Sequence, residues 1–140
     1  MQSHLTHRES RIVRVAVIGA GTMGHGIAQV AAGAGFLTHL TDIDPEAIAS
    51  GRNRIHANLL GAVARGKLTQ ESANATMARV VGVSGIEAAA RDADLVVEAV
   101  LEDLVVKQSL FQQLDRTVGD DTILATNTSS LSVSRIAGAT

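Results

Sequence analysis

From Arg11 onward, short β-branched runs alternate with longer stretches of helical periodicity. Ile12–Ile18 (IVRVAVI), halted at Gly19, predicts a strand. Thr22–Ala34 is rich in alanine and closed by Gly33 and Gly35, which predicts a helix. Phe36–Thr41 predicts a second strand. Asp44-Pro45-Glu46 has the chemistry of a helix start: a capping acid, a proline with no N–H to lose, and a carboxylate near the positive end of the dipole. The helix it opens runs to about Arg65 and carries Ile48, Ile55, Leu59 and Val63 on one face. Thr69 followed by Ser72 predicts a shorter helix ending near Ala78. Beyond it, Arg79–Val83 reads as a strand, Ile86–Ala90 as a short helix and Asp94–Glu98 (DLVVE) as a strand. Glu102–Val118 reads as a helix with Leu104, Phe111, Leu114 and Val118 inward. Thr122–Thr126 is a fifth strand, and a last helix starts near Ser132.

Strands that alternate with helices imply right-handed crossovers and a parallel sheet with helices on both faces, an α/β fold. Uninterrupted runs such as Leu95-Val96-Val97 agree, because a strand covered on both faces need not alternate. The expected strand order is 3-2-1-4-5, which puts Thr122–Thr126 at an edge. That segment has neither charge nor proline, the usual edge protections, so self-association is expected. Within it, Ile123 is expected in the core and Thr122 nearer solvent.

Composition narrows the function classes. The 140 residues fit one domain, and 46% hydrophobic content supplies a core and excludes wholesale disorder. Twelve basic against 14 acidic residues give a net charge of −2, so no overall basic field draws the chain to nucleic acid or a membrane. Cysteine is absent, which removes disulfides, thiolate metal sites and thiol nucleophiles, and no metal site is expected. Without Trp or Tyr, and with two Phe, there is no base-stacking platform. Residues 1–10 are polar and read as a mobile tail before a single domain over 11–140. With no signal-peptide core and no apolar run of membrane-spanning length, the expected location is cytoplasmic.

Gly19-Ala20-Gly21-Thr22-Met23-Gly24 is a G-x-G-x-x-G element that follows a predicted strand and opens a helix. In that setting Gly19 makes the tight turn, Gly21 lets a pyrophosphate approach the backbone, and Gly24 lets helix and strand pack closely. Phosphate then meets free N–H groups and the positive end of the helix dipole. Asp42 ends the second strand 18 residues beyond Gly24, placed to accept the adenosine-ribose hydroxyls and to repel a 2′-phosphate. Motif and acid together point to NAD rather than NADP, on a Rossmann-type doubly wound sheet of about five strands with a helical arm after the second. The bland alternatives are a ligand-free glycine turn and an aspartate turn at a strand end.

GAGTMGHGIA, TDID, DLVVEAVLEDLVVKQSLFQQL and ILATNTSSLS together resemble the NAD-binding domain of 3-hydroxyacyl-CoA dehydrogenases, from about Arg11 to Thr140. The resemblance implies oxidation of 3-hydroxyacyl-CoA to 3-oxoacyl-CoA with NAD, in fatty-acid β-oxidation. It implies that Glu102, Lys107 and Asn127 lie at the cofactor, beside Gly19 to Gly24 and Asp42, and that Ser129 bonds the substrate hydroxyl. Read without it, Glu102 is a helix-start acid, Lys107 a solvated lysine, and Ser129 a turn or cap residue.

The predicted arm carries Arg52, Arg54, Arg65 and Lys67 with no acid between Ala47 and Gln70. Arg54, Asn58, Gly61 and Arg65 share a stripe away from the apolar face, which suits the phosphates of an acyl-CoA or is simply a solvated basic face. The resemblance matches Asn58 and Arg65 to coenzyme A contacts. It also implies a catalytic histidine and a helical domain beyond the NTSS block, so the domain is expected to be incomplete at its C-terminus and inactive alone. None of His4, His7, His25, His39 and His56 matches the position of that base. A related sugar-acid dehydrogenase of the gulonate type, or a non-catalytic nucleotide-binding module, are the competing readings.

Overall fold

The computed structural model describes residues 12–128 and 132–140; the tail expected at residues 1–10 lies outside them. Its elements are β1 (Arg14–Ile18), α1 (Thr22–Gly33), β2 (Leu37–Thr41), α2 (Pro45–Ala64), α3 (Gln70–Arg79), β3 (Val80–Gly82), α4 (Ile86–Ala90), β4 (Leu95–Glu98), α5 (Leu104–Thr117), β5 (Ile123–Thr126) and α6 (Val133–Ala137). The strands form one parallel sheet in the order β3-β2-β1-β4-β5, as expected from the alternation.

Side chains of β1 alternate between two apolar layers, as strand geometry requires. Val15 and Val17 join Leu40 and Val80 under Ala28 and Ala32 of α1, Ile55 and Leu59 of α2 and Ala73 of α3. Ala16 and Ile18 join Val96 under Ala90 of α4 and Leu110 and Leu114 of α5. The alanines of α1 and α4 bring those helices close to the sheet. Helix starts are capped where the sequence offers an oxygen. The Glu46 N–H donates to Asp44 Oδ1 at 3.0 Å, the Ser72 N–H to Thr69 Oγ1 at 3.0 Å, and the Val106 N–H to Asp103 Oδ1 at 3.1 Å. Each such cap is worth about 1 kcal/mol.

Asp94 fixes the register between the central strand and its neighbour. Its Oδ2 accepts the N–H groups of Val13 at 2.9 Å and Arg14 at 2.8 Å, just before Val15 pairs with Leu95. These two bonds favour the carboxylate and hold its pKa below 3.8.

Two expectations about β5 are reversed. Ile123 is 50% exposed, whereas Thr122 is half-buried and donates its hydroxyl to the Ala93 carbonyl at 2.8 Å. The register explains this. Ile123 pairs with Leu95, which pairs in turn with Val15, on the face where α1 covers β1 but leaves an open apolar groove of about 390 Å³ beside Leu95 and Val97. Leu124 points the other way, into the layer under α5. Helix α6 packs against α5, with Ile136 buried and Gln108 Nε2 donating to the Arg135 carbonyl at 3.0 Å. The buried face of α5 is Lys107, Leu110, Phe111 and Leu114; Leu104, expected inward, is only half-buried. Among the described residues no helix is long and apolar enough to cross a membrane.

Candidate dinucleotide-binding site

The three glycines of the turn differ in what surrounds them. Gly19 has φ +106°, and a Cβ there would lie 2.6 Å from the Ala99 carbonyl oxygen. A Cβ on Gly24 would stand 1.6 Å from the Gly19 carbonyl oxygen, so only glycine lets α1 start this close to the turn. At Gly21 a Cβ would meet nothing within 4 Å. Two of the glycines are therefore demanded by the protein's own packing, and the third opens space for something else. Gly21 is the N-cap of α1 and offers no side-chain cap, so the first-turn N–H groups keep donor capacity. Thr22 and Met23 are exposed at that end, while Ala20 is buried beneath the turn.

Asp42 braces the same turn. Its Oδ2 accepts the Ala20 N–H at 2.9 Å and its Oδ1 the Asp44 N–H at 3.0 Å. A further bond from the Gly19 N–H to the Thr41 carbonyl, at 2.9 Å, ties the turn to the end of β2. The cleft above measures about 520 Å³ and is lined by Gly19, Gly21, Asp42, Ile43, Val100 and Leu101, among others. Ile43 and Leu101 are 90% and 82% exposed, giving the cleft apolar rims above an acidic and glycine-lined floor. It opens at the carboxyl ends of the strands, where β1 passes the chain to β2 on one side and β4 lies on the other. This is the switch point at which open α/β sheets bind ligands.

Beyond β4 the structure corrects one reading and adds a residue. Lys107 is not a solvated lysine: its side chain is 0% exposed and donates to both oxygens of Glu98, at 2.8 and 2.7 Å. Glu98 is equally buried and also accepts the Val100 N–H at 2.7 Å and the Thr126 hydroxyl. Glu102, 43% exposed, meets the same ammonium at 2.9 Å and accepts the Thr128 hydroxyl at 2.7 Å. Burial opposes the Lys107 charge, but hydrogen bonds and attraction from Glu98 and Glu102 outweigh it and raise the pKa above 10.5. The available signal for Glu98 is its place as an acid ending an apolar strand, where burial without a partner costs several kcal/mol. Asn127 is exposed just past β5, and its N–H donates to the Glu98 carbonyl at 2.9 Å. Ser129 lies outside the described residues.

On the arm, Arg54, Asn58 and Arg65 are all exposed. Asn58 Nδ2 donates to Gln29 Oε1 at 3.0 Å, joining α2 to α1, while Arg65 lies back over Gly61. Two of the histidines do local work: His25 Nδ1 donates to the Gly21 carbonyl at 2.8 Å and His39 Nδ1 to the Ala89 carbonyl at 3.3 Å. Among the described residues no group of three or more His, Asp or Glu is arranged to hold a metal.

A parallel doubly wound sheet, a glycine turn with one open position and a bracing acid at the end of β2 define a Rossmann-type dinucleotide-binding domain. The chain belongs to the family of 3-hydroxyacyl-CoA dehydrogenase NAD binding domains, whose model matches residues 14–140. Its cofactor is accordingly NAD, which the open Gly21 position and Asp42 suit. A 3-hydroxyadipyl-CoA dehydrogenase of Escherichia coli is 50% identical over 123 residues, 88% of this chain and 26% of that protein. A probable 3-hydroxybutyryl-CoA dehydrogenase of Bacillus subtilis is 40% identical over 92% of this chain and 45% of its own length. The crystal structure of a 3-hydroxybutyryl-CoA dehydrogenase from Escherichia coli superposes with a TM-score of 0.88 at 49% identity, covering 91% of this chain and 27% of that one. The chain thus spans between a quarter and a half of the length of these relatives.

Proposed function

We propose that this domain holds NAD for the oxidation of a (S)-3-hydroxyacyl-CoA to the 3-oxoacyl-CoA. In that reaction the C3 hydride passes to the nicotinamide and the hydroxyl proton to a base. The observation that carries the reading is the pairing of an open Gly21 with the Asp42 carboxylate across one cleft. The N–H groups at the start of α1 would hold the phosphates, and Asp42 would accept the ribose hydroxyls. Glu102 and Asn127, past β4 and β5, face the nicotinamide half, Lys107 acts from its buried position by holding Glu102, and Ser129 takes the substrate hydroxyl. Asn58 and Arg65 line the path of the coenzyme A phosphates along the arm. The relatives cited above are named for CoA thioester substrates, which favours an acyl-CoA over a sugar acid.

Among the described residues the acids lining this cleft are engaged, Asp42 with the turn and Asp44 with the start of α2, and base catalysis contributes about 10²- to 10⁴-fold. The domain by itself therefore binds cofactor and does not turn over. Calorimetric titration with NADH, NADPH and 3-hydroxybutyryl-CoA tests the reading. Binding of NADH well above NADPH supports it; equal affinity for the two dinucleotides overturns the role of Asp42. Robust NAD reduction by the isolated 140-residue chain overturns the need for a base from elsewhere.

A further inference from the structure

Helices α2 and α3 flank a separate cavity of about 350 Å³ that shares no lining residue with the cleft above the glycine turn. Its polar lining comes in two pairs, each one helical turn apart: Arg52 and His56 on α2, Gln70 and Asn74 on α3. Gln70 Nε2 donates to Asn74 Oδ1 at 2.8 Å, so the Asn74 amide nitrogen keeps its own donors. Leu60 and Met77 add an apolar wall, and neither aspartate nor glutamate lines the cavity. The stem of Arg52 lies across Gly82 of β3, where a Cβ would stand 3.2 Å from Arg52 Cδ. Packing thus fixes the side chain against the sheet edge rather than leaving it to swing in water. Its Nε is buried with no hydrogen-bond partner, and among the described residues its guanidinium makes no ion pair.

A buried donor on a charged group is costly to leave unpaired, and an acceptor supplied from outside removes that cost. The planar guanidinium matches a carboxylate through two parallel hydrogen bonds. His56 and Asn74 stand at the same cavity as further donors, and the carbon of Leu60 and Met77 suits a hydrocarbon tail better than a fully charged inorganic ion. We propose that this cavity binds a small organic carboxylate, its head on Arg52 and its tail against Leu60 and Met77. The site is independent of the dinucleotide cleft and of the reading given for it.

Hexanoate, acetate and inorganic phosphate are titrated at constant ionic strength into ¹⁵N-labelled protein. The Arg52 Nε–H resonance and the backbone resonances of Asn74 and Met77 are followed by NMR. Hexanoate is expected to move all three saturably, with a Kd on the order of 1 mM, as suits so small a ligand. It should bind about tenfold tighter than acetate, the worth of roughly two buried methylenes. Acetate or phosphate binding as tightly as hexanoate overturns the organic carboxylate; shifts that never saturate overturn the site itself. Arg52→Gln removes the charge and should weaken hexanoate by about tenfold or more, the scale of one charge-assisted hydrogen bond. Arg54→Gln, on the other side of α2, should leave hexanoate binding unchanged. An equal loss in the two variants would mean general attraction to a basic helix and overturns the proposal. The wild-type titration decides the matter even where Arg52→Gln proves unstable in a thermal melt.

Discussion

The carboxylate of Asp42 accepts the backbone N–H of Ala20, so the acid expected to select the ribose also supports the glycine turn. Selection and support separate by substitution. Asp42→Ala removes both and should weaken NADH by at least about tenfold, because a charge-assisted hydrogen bond is worth about 1.5–3 kcal/mol. NADPH should weaken as well, since the turn loses its brace. Asp42→Asn can still accept from Ala20 and should narrow the gap between the two dinucleotides. Unchanged NADPH affinity in Asp42→Ala would show that the brace is dispensable.

Gly21 and Gly24 should fail in different ways. Gly24→Ala places a methyl carbon into the Gly19 carbonyl and should destabilise the fold by about 3 kcal/mol or more. Gly21→Val enters open space, so thermal unfolding should shift little while NADH binding disappears. Melting curves paired with NADH fluorescence titration read both effects. A Gly21→Val protein that binds normally would remove the pyrophosphate from this position.

Self-association through β5 is tested at Ile123. Its side chain is exposed, so Ile123→Lys adds a charge at an open edge and should reduce concentration-dependent association with little loss of stability. Thr122→Lys breaks the bond to Ala93 and should cost about 1 kcal/mol. Sedimentation velocity over a range of concentrations checks this; equal association by wild type and Ile123→Lys would exclude the edge.

Acid stability should report on Asp94. Its folded pKa lies below 3.8, so its contribution is complete above that value and is lost as pH falls through the lowered folded pKa. Asp94→Asn should therefore cost about 1 kcal/mol near neutrality, at the low end for a charge-assisted site open to solvent. The difference between the two proteins should shrink under strongly acidic conditions. Lys107 works with the opposite sign. Its folded pKa is raised above 10.5, so its stabilisation is complete below 10.5 and is lost only as pH rises through the higher folded value. Denaturant unfolding across the pH range measures both.

Strands, helices and order were legible because β-branched runs, the Asp44-Pro45 start and the glycine turn each carry a local physical cause. The apolar face of α2 at Ile48, Ile55 and Leu59 follows from spacing alone. Lys107 was illegible from its own neighbourhood, since a lysine in a helix's first turns is ordinarily solvated. Its burial depends on Glu98, nine positions earlier on another element. Ile123 was misread for a related reason: apolar character predicts burial only where a second layer covers that face, and α1 stops short of it. Pairings across elements and the reach of a covering helix are tertiary facts that no local pattern encodes.

β1 is the first strand in the chain and the middle strand of the sheet. During synthesis from the N-terminus, every later strand therefore meets an edge that already exists: β2 then β3 on one flank, β4 then β5 on the other. No strand has to be inserted between two formed neighbours. The glycine turn and its Asp42 brace are complete within the first 42 residues, so that end of the cleft can be built before Glu98 and its partner Lys107 have left the ribosome.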